Sequence, residues 1–261
     1  MPHRAQRSLK HEYELFVEQE IENYKESIPR SAILAIGDEA AAKLASESQF
    51  TLTELLLVEE VDRIVSKRLR LPKYETWRKK RLKLLDEMRR PEHWGLQRGD
   101  ALVRAVESAT AEKLTAHVLV AGESAERSAL YLAANGCDVT AIDSQEEMLE
   151  RVMAAAVQAG LAERVHAFAA DLQQFQPDRQ LKAVVCSHSA LESLSERDRA
   201  RVIDVLQGAT ADGGIHLVET IAAGSAVIDQ LRSTYKGWAV TLEPRGEEQV
   251  FLARKAASRG D

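Results

Sequence analysis

The chain has 261 residues, 45% hydrophobic and 29% charged, a globular balance with room for one large domain or two small ones, which excludes collagen-like, disordered and disulfide-scaffold classes. Its net charge of -6 is uneven: residues 61–90 carry 12 Lys or Arg against 4 Asp or Glu, a local +8, so the remainder sums to -14. No run reaches the ~18 apolar residues of a membrane span, and MPHRAQRSLKHEYE lacks the apolar core of a secretory signal; the sequence predicts a soluble, cytoplasmic protein without membrane contact.

The first hundred residues read as helices. In LKHEYELFVEQEIENYKESI the residues Leu9, Tyr13, Phe16, Val17, Ile21, Tyr24 and Ile28 recur at helical spacing, and Pro29 ends the run. A second helix is predicted from Ser31 to about Ser46. Thr51 stands three residues before Glu54, a capping-box pattern that opens a third helix running to Leu71-Pro72. KYETWRKKRLKLLDEMRR gives a fourth that closes at Pro91, with Trp77, Leu82, Leu85 and Met88 on its apolar side. Its basic residues Arg78, Lys79, Lys80, Arg81 and Lys83 read as a solvated face complementing the acidic remainder. Such a cluster also suits phosphates, but a nucleic-acid partner is not expected, because Trp77 faces a core and no glycine-rich aromatic platform accompanies it.

From residue 100 the pattern becomes β-branched runs separated by helices, the mark of a parallel sheet covered on both faces. Strands are predicted at 117–121, 137–142, 164–170, 182–187 and 214–220, and helices at about 126–135, 145–159 and 195–209. WAVTLE and QVFLARK, separated by the turn at Pro244 to Gly246, form a closing hairpin. Only Gly37 of the 13 glycines lies in the first 90 residues, so composition and pattern divide the chain alike: an all-helical region over 1–97 and an α/β domain over 98–261. Cys137 and Cys186 sit inside apolar runs and read as reduced core thiols. No metal site is expected.

VLVAGESAERSALYLAANGCDVTAID resembles the opening of class I S-adenosylmethionine-dependent methyltransferases, nearest to the small tellurite-resistance type. The resemblance continues through DSQEEMLERV, AADLQQF, VVCSHSALESL, ATADGGIHLVET and VFLARK, over roughly residues 100–257. It implies a Rossmann-like seven-stranded sheet with a C-terminal antiparallel hairpin, S-adenosylmethionine as cofactor and direct methyl transfer to a small-molecule or unidentified acceptor. The resemblance does not extend to the helical first hundred residues.

Ligands of a doubly wound sheet gather at the carboxyl ends of its strands, so the loops after Ala121, Ile142, Ala170 and Ser187 should converge. Asp143, with Ser144 beside it, closes the second strand, where a carboxylate can accept both ribose hydroxyls; the resemblance assigns it that role, and capping is its other use. Asp171 closes the third strand and is followed by Leu172. The resemblance gives this pair the adenine amino group and the ring face, while an Asp near a helix start also serves a turn.

The first loop departs from the family pattern, which has an acid near the strand end and then G-x-G-x-G. Here Val120 stands at the acid's place, Gly122 is the one glycine retained, and Ser124 and Glu126 occupy the other two. Ser124 can still donate a hydrogen bond, and Glu123 is a candidate replacement acid. Methyl transfer asks mainly for alignment and exclusion of water, with a base where the nucleophile is a hydroxyl or amine. His188, in the loop after Ser187 that borders the donor methyl in the family, is the candidate catalytic base and substrate contact; Glu192 and Glu219 are weaker ones. His166 and His216 lie within strands and read as structural. Trp94, with His93 and Arg98, is placed at the rim as a candidate substrate contact, Tyr74 being a further lining residue; packing is the alternative for Trp94. A second reading is a non-catalytic binding or scaffold protein of the same fold, favoured by Val120, Ser124 and Glu126. A nicotinamide oxidoreductase ranks below both, because the glycine fingerprint for a pyrophosphate is missing. Oligomeric state leaves no mark in the sequence.

Overall fold

The computed structural model describes residues 8–46, 54–110, 116–122, 125–222 and 225–257, and the chain divides into two compact units, Met1–Leu84 and Leu85–Asp261. No helix among the described residues is long and apolar enough to cross a membrane.

The first unit holds α1 (Leu9–Ser27), α2 (Arg30–Ser46), α3 (Glu54–Leu69) and the start of α4 (Tyr74–Met88). Ser8 caps α1 by accepting the His11 N–H, which satisfies one of the donors left over at a helix start. Thr51, the predicted cap of the third helix, lies outside the described residues. Ile21, Ile36, Ala40, Ile64 and Val65 form the buried core, with Val17, Tyr24 and Ile28 of the predicted α1 stripe packed against it. Trp77 packs on Tyr13 and Phe16, and Tyr74 meets Tyr13 edge-on at 5.5 Å. The basic face of α4 is partly matched locally: Arg81 donates to Glu12 at 3.2 Å and Arg78 lies 3.9 Å from Glu75.

The second unit continues with a 3-10 turn (Pro91–Trp94), then α5 (Ala101–Thr110), β1 (His117–Ala121), α6 (Ala125–Ala134), β2 (Asp138–Asp143), α7 (Glu146–Ala159) and β3 (Val165–Ala169). There follow β4 (Leu181–Ser187), α8 (His188–Glu192), α9 (Glu196–Ala209), β5 (Thr210–Ala222), α10 (Ala226–Thr234), β6 (Ala239–Arg245) and β7 (Glu248–Arg254). One seven-stranded sheet has the order β3-β2-β1-β4-β5-β7-β6. The first five strands are parallel, and β7 runs antiparallel to both β5 and β6, so the expected Rossmann-like sheet with a terminal hairpin is what the chain forms.

Strand alternation gives the sheet its two faces. Val118, Val120, Val185 and Leu217 share a core with residues of α5, α6 and α7, including Leu102, Leu130 and Leu149. Leu119, Ala121, Val184, Cys186 and Val218 face the other way, against Leu191, Val202, Ile203 and Leu231 of α8, α9 and α10. The strand order reverses between β1 and β4, both of which lead out of the sheet at the same edge, so the switch-point crevice belongs to the turns after Ala121 and Ser187.

The three helices expected between strands are α6, α7 and α9. Three more, α5, α8 and α10, do not follow from strand alternation. Two of these announce themselves by caps: Ser187 accepts the Ala190 N–H and Ser225 accepts the Val227 N–H. The fifth strand begins at Thr210 rather than 214, because Thr210 already pairs with Leu181 before the register shifts to Ala183 and Ile215. The third strand ends at Ala169, so Asp171 does not close it but stands in the turn beyond, where its carboxylate accepts the Gln173 N–H at 2.9 Å.

Candidate functional site

The carboxyl edge of the sheet is assembled around Gly122. This residue has φ +90°, a left-handed conformation that L side chains resist. A Cβ there would also meet the Ser187 Oγ at 2.0 Å. The one glycine retained in the loop is therefore required by the protein's own packing: the Ser187 side chain fills the space above it. Ser187 is 2% exposed, caps α8 and shares a 2.8 Å hydrogen bond with Ser189. Its hydroxyl is thus engaged within the fold.

His188 follows as the first residue of α8 and is buried. Its Nδ1 lies 3.6 Å from the Glu192 carboxylate one turn on, while its buried Nε2 has no hydrogen-bond partner. Buried ring nitrogens are normally satisfied, so an unmatched one beside the switch point is an opening for an external proton donor. Glu219 pairs in register with Ser187 on β5. It is 2% exposed, and its Oε2 is 4.0 Å from Nη2 of Arg127, the third residue of α6. The Arg127 Nε is buried without a hydrogen-bond partner. By strand parity, Gly122, Ser187 and Glu219 all belong to the sheet face covered by α6.

Asp143 is the last residue of β2, as expected. Its Oδ1 accepts the Gln145 N–H at 2.8 Å, which turns the chain into α7, and its backbone carbonyl accepts the Ala170 N–H at 3.0 Å. The turns carrying Asp143 and Asp171 are thereby held side by side. Ser144 and Asp171 are exposed, whereas Leu172 is half-buried against the α8–α10 core. Glu123 and Ser124 lie outside the described residues.

The remaining loop substitutions have local explanations. Val120 is fully buried, in register between Ala141 and Val185, and packs into the α5–α7 core. Glu126 reaches toward Arg151 of α7, 3.5 Å away, so its charge is engaged along the helix pair. Trp94 is anchored as packing: its indole N–H donates to the Met88 carbonyl at 2.7 Å, His93 meets its ring edge-on at 4.7 Å, and the ring lies against the α5–α7 core. Arg127 was not among the sequence candidates; its only signal is a charged position early in α6, where a helix N-terminus faces the crevice.

Burial pushes the Cys137 thiol up to about 11 and the Cys186 thiol up to about 12, so neither is a nucleophile near neutral pH. Among the described residues no group of three or more His, Cys, Asp or Glu is arranged to hold a metal ion.

Residues 118–214 match the family model described as a methyltransferase domain. No curated protein matches the sequence. Among solved structures, the glycopeptide N-methyltransferase MtfA complexed with S-adenosylmethionine is 16% identical, covering 61% of this chain and 88% of its own, with a TM-score of 0.48. TehB from Haemophilus influenzae is 18% identical over 58% of this chain and 61% of its own, TM-score 0.46. Magnesium protoporphyrin IX methyltransferase from Synechocystis PCC 6803 is 15% identical over 59% and 78%, TM-score 0.48. The match to the methyltransferase-domain model lies within the second unit and covers its first four parallel strands.

Proposed function

We propose that this domain binds S-adenosylmethionine at the carboxyl edge of the sheet and transfers its methyl group to a small-molecule acceptor. The observation that carries the reading is the buried, unpartnered Nε2 of His188, held beside the switch point by the start of α8. The residues present fit the cofactor: Asp143 for the ribose, Asp171 and Leu172 for the adenine, and the α6 N-terminus with the unmatched Arg127 Nε for the methionyl end. Ser144, Gly122 and the loop residues Glu123 and Ser124 complete the proposed cofactor set, and Ser187 supports it from below.

The cofactor supplies a methyl group already activated by a sulfonium. What remains for the chain is to align an acceptor, exclude water and take a proton. His188 does the last: with Nδ1–H turned toward Glu192, the Nε2 lone pair accepts the proton that an acceptor hydroxyl or amine loses as it gains the methyl group. Glu192 is then a positioning residue, holding the tautomer that leaves Nε2 free. Trp94 is proposed only as indirect support of the acceptor pocket, since its ring is committed to packing.

A second reading, a non-catalytic ligand-binding or scaffold role, is favoured by one feature: the Ser187 hydroxyl fills the space above Gly122 that close approach of a cofactor uses elsewhere in the family. Calorimetric titration with S-adenosylmethionine and S-adenosylhomocysteine separates the two. Saturable binding of both supports the catalytic reading; absence of binding at millimolar ligand, with the protein folded by circular dichroism, sinks it.

A further inference from the structure

We infer that Arg199 is a positioning residue for the candidate base: through the carbonyls of Leu191 and Leu194 it holds the helical turn on which His188 and Glu192 meet. This inference rests on the reading of His188 given above and adds to it a residue from another helix.

α8 has five residues, His188–Glu192, too few to persist on its own hydrogen bonds. His188 and Glu192 face each other only while that turn is wound, because side chains four positions apart are neighbours on a helix and not on an extended chain. Their own attraction does not wind it: the Glu192 side chain is 65% exposed and 3.6 Å from the ring, a solvated pair of little strength. Ser187 fixes the start of the turn by accepting the Ala190 N–H. The end is fixed from α9. Arg199 Nε donates to the Leu191 carbonyl at 2.8 Å, Nη2 donates to the Leu194 carbonyl at 3.0 Å, and Nη1 donates to the Gln230 side-chain oxygen on α10. Gln230 in turn donates to the Glu196 carbonyl at 2.7 Å, so α8, α9 and α10 are tied through one guanidinium.

The cost of this arrangement argues for its purpose. Arg199 is 8% exposed, and its three acceptors are uncharged oxygens, so among the described residues no carboxylate offsets its desolvation. It also stands close to the N-terminal end of α9, the wrong end of the helix dipole for a cation. What favours it there is the carbonyl end of α8, which takes a positive charge and N–H donors. The planar fork meets the Leu191 and Leu194 carbonyls at a fixed spacing, which a single ammonium does not.

Ring-nitrogen NMR reads the consequence, with the His188 signals assigned by their loss in His188→Gln. The wild type is expected to show His188 protonated at Nδ1 and bare at Nε2 at neutral pH. Arg199→Lys keeps the charge and loses the fork, and Arg199→Met loses both. Each should mix the two tautomers and speed exchange of the Ser193 and Leu194 amides, which bond back to Ser189 and Leu191, by about 10- to 100-fold, the worth of a hydrogen bond from a charged group. Leu206→Ala, a buried truncation further along α9, lowers stability without touching these carbonyls and should leave the His188 tautomer as in wild type. An unchanged tautomer in a folded Arg199 variant, the same mixing in Leu206→Ala, or failure of both Arg199 variants to fold overturns the inference and leaves His188 standing as the base. A wild-type ring protonated at Nε2 overturns the base reading and this inference together.

Discussion

Acid should unfold the sheet domain through His216. This side chain on β5 is 1% exposed and held from both ring nitrogens: Nε2 is 2.7 Å from Thr210 Oγ1, and Nδ1 is 2.6 Å from the Tyr235 hydroxyl. Because Thr210 donates its own proton to the Leu206 carbonyl, it accepts from Nε2–H, so Nδ1 is the bare nitrogen that accepts from Tyr235. Both hydrogen bonds thus demand the neutral ring. Burial, with the Lys255 ammonium nearby, pushes the imidazole from 6.5 down to about 3. Lys255 donates to the Thr210 and Gln207 carbonyls and lies over the Trp238 ring, so its charge is fixed close by. A histidine lowered in this way is neutral in the fold and protonated in the unfolded chain at intermediate pH. Its contribution is complete above about 6.5 and is lost as the pH falls toward 3. At 1.36 kcal/mol per unit, going from pH 7 to pH 5 removes about 2 kcal/mol. Denaturant unfolding at the two pH values, in wild type and His216→Gln, reads this directly, with loss of sheet ellipticity as the signal. The variant starts less stable by about 1–3 kcal/mol for the lost hydrogen bonds, but its drop between pH 7 and pH 5 should be smaller than that of the wild type by about 2 kcal/mol. An equal drop in both proteins would refute the assignment of His216 as the acid-sensitive group.

Asp143→Ala should weaken S-adenosylmethionine by about 10- to 100-fold, the cost of hydrogen bonds to a charged acceptor; unchanged affinity in a titration would place the ribose elsewhere. Once an acceptor is found, His188→Ala should lower kcat by about 10²- to 10⁴-fold with cofactor affinity nearly unaltered, and equal activity removes His188 as the base. Gly122→Ala should destabilise by about 1–3 kcal/mol because it combines positive φ with a clash on Ser187. Adding Ser187→Ala should restore only part of the lost melting temperature, since Ala190 Cβ remains 3.0 Å away; full recovery would mean the backbone conformation costs nothing. Cys186 should not react with an aromatic disulfide reagent at pH 8 until the protein unfolds, and rapid labelling of both thiols in the native protein would contradict its burial.

What could be read in advance was whatever repeats. The strands β1, β2, β4 and β5 are buried apolar runs on a parallel sheet, and α1, α6, α7 and α9 carry a helical period, so each was visible within its own few residues. Short capped helices were not, because α8 and α10 owe their starts to Ser187 and Ser225, single hydroxyls that look like loop residues until their N–H partners are placed. Asp143 was legible because a carboxylate at a strand's carboxyl end has a fixed place. Asp171 was legible as a residue but not as a position, since an edge strand ends where its turn hydrogen bond forms. Arg127 and Glu219 lie 92 positions apart in the sequence, and nothing local links them.

The glycine-poor loop sharpens this point. Read as a string, Val120, Ser124 and Glu126 are three losses against a family pattern. In the fold, the described members of that set are answered one by one. Val120 completes a core layer between Ala141 and Val185, and Glu126 turns to Arg151. Gly122 persists because Ser187, not a ligand, occupies the volume its Cβ would need. The glycine is thus kept by the packing of β4 and α8 against the end of β1, a constraint that holds whether or not a ligand binds at that edge.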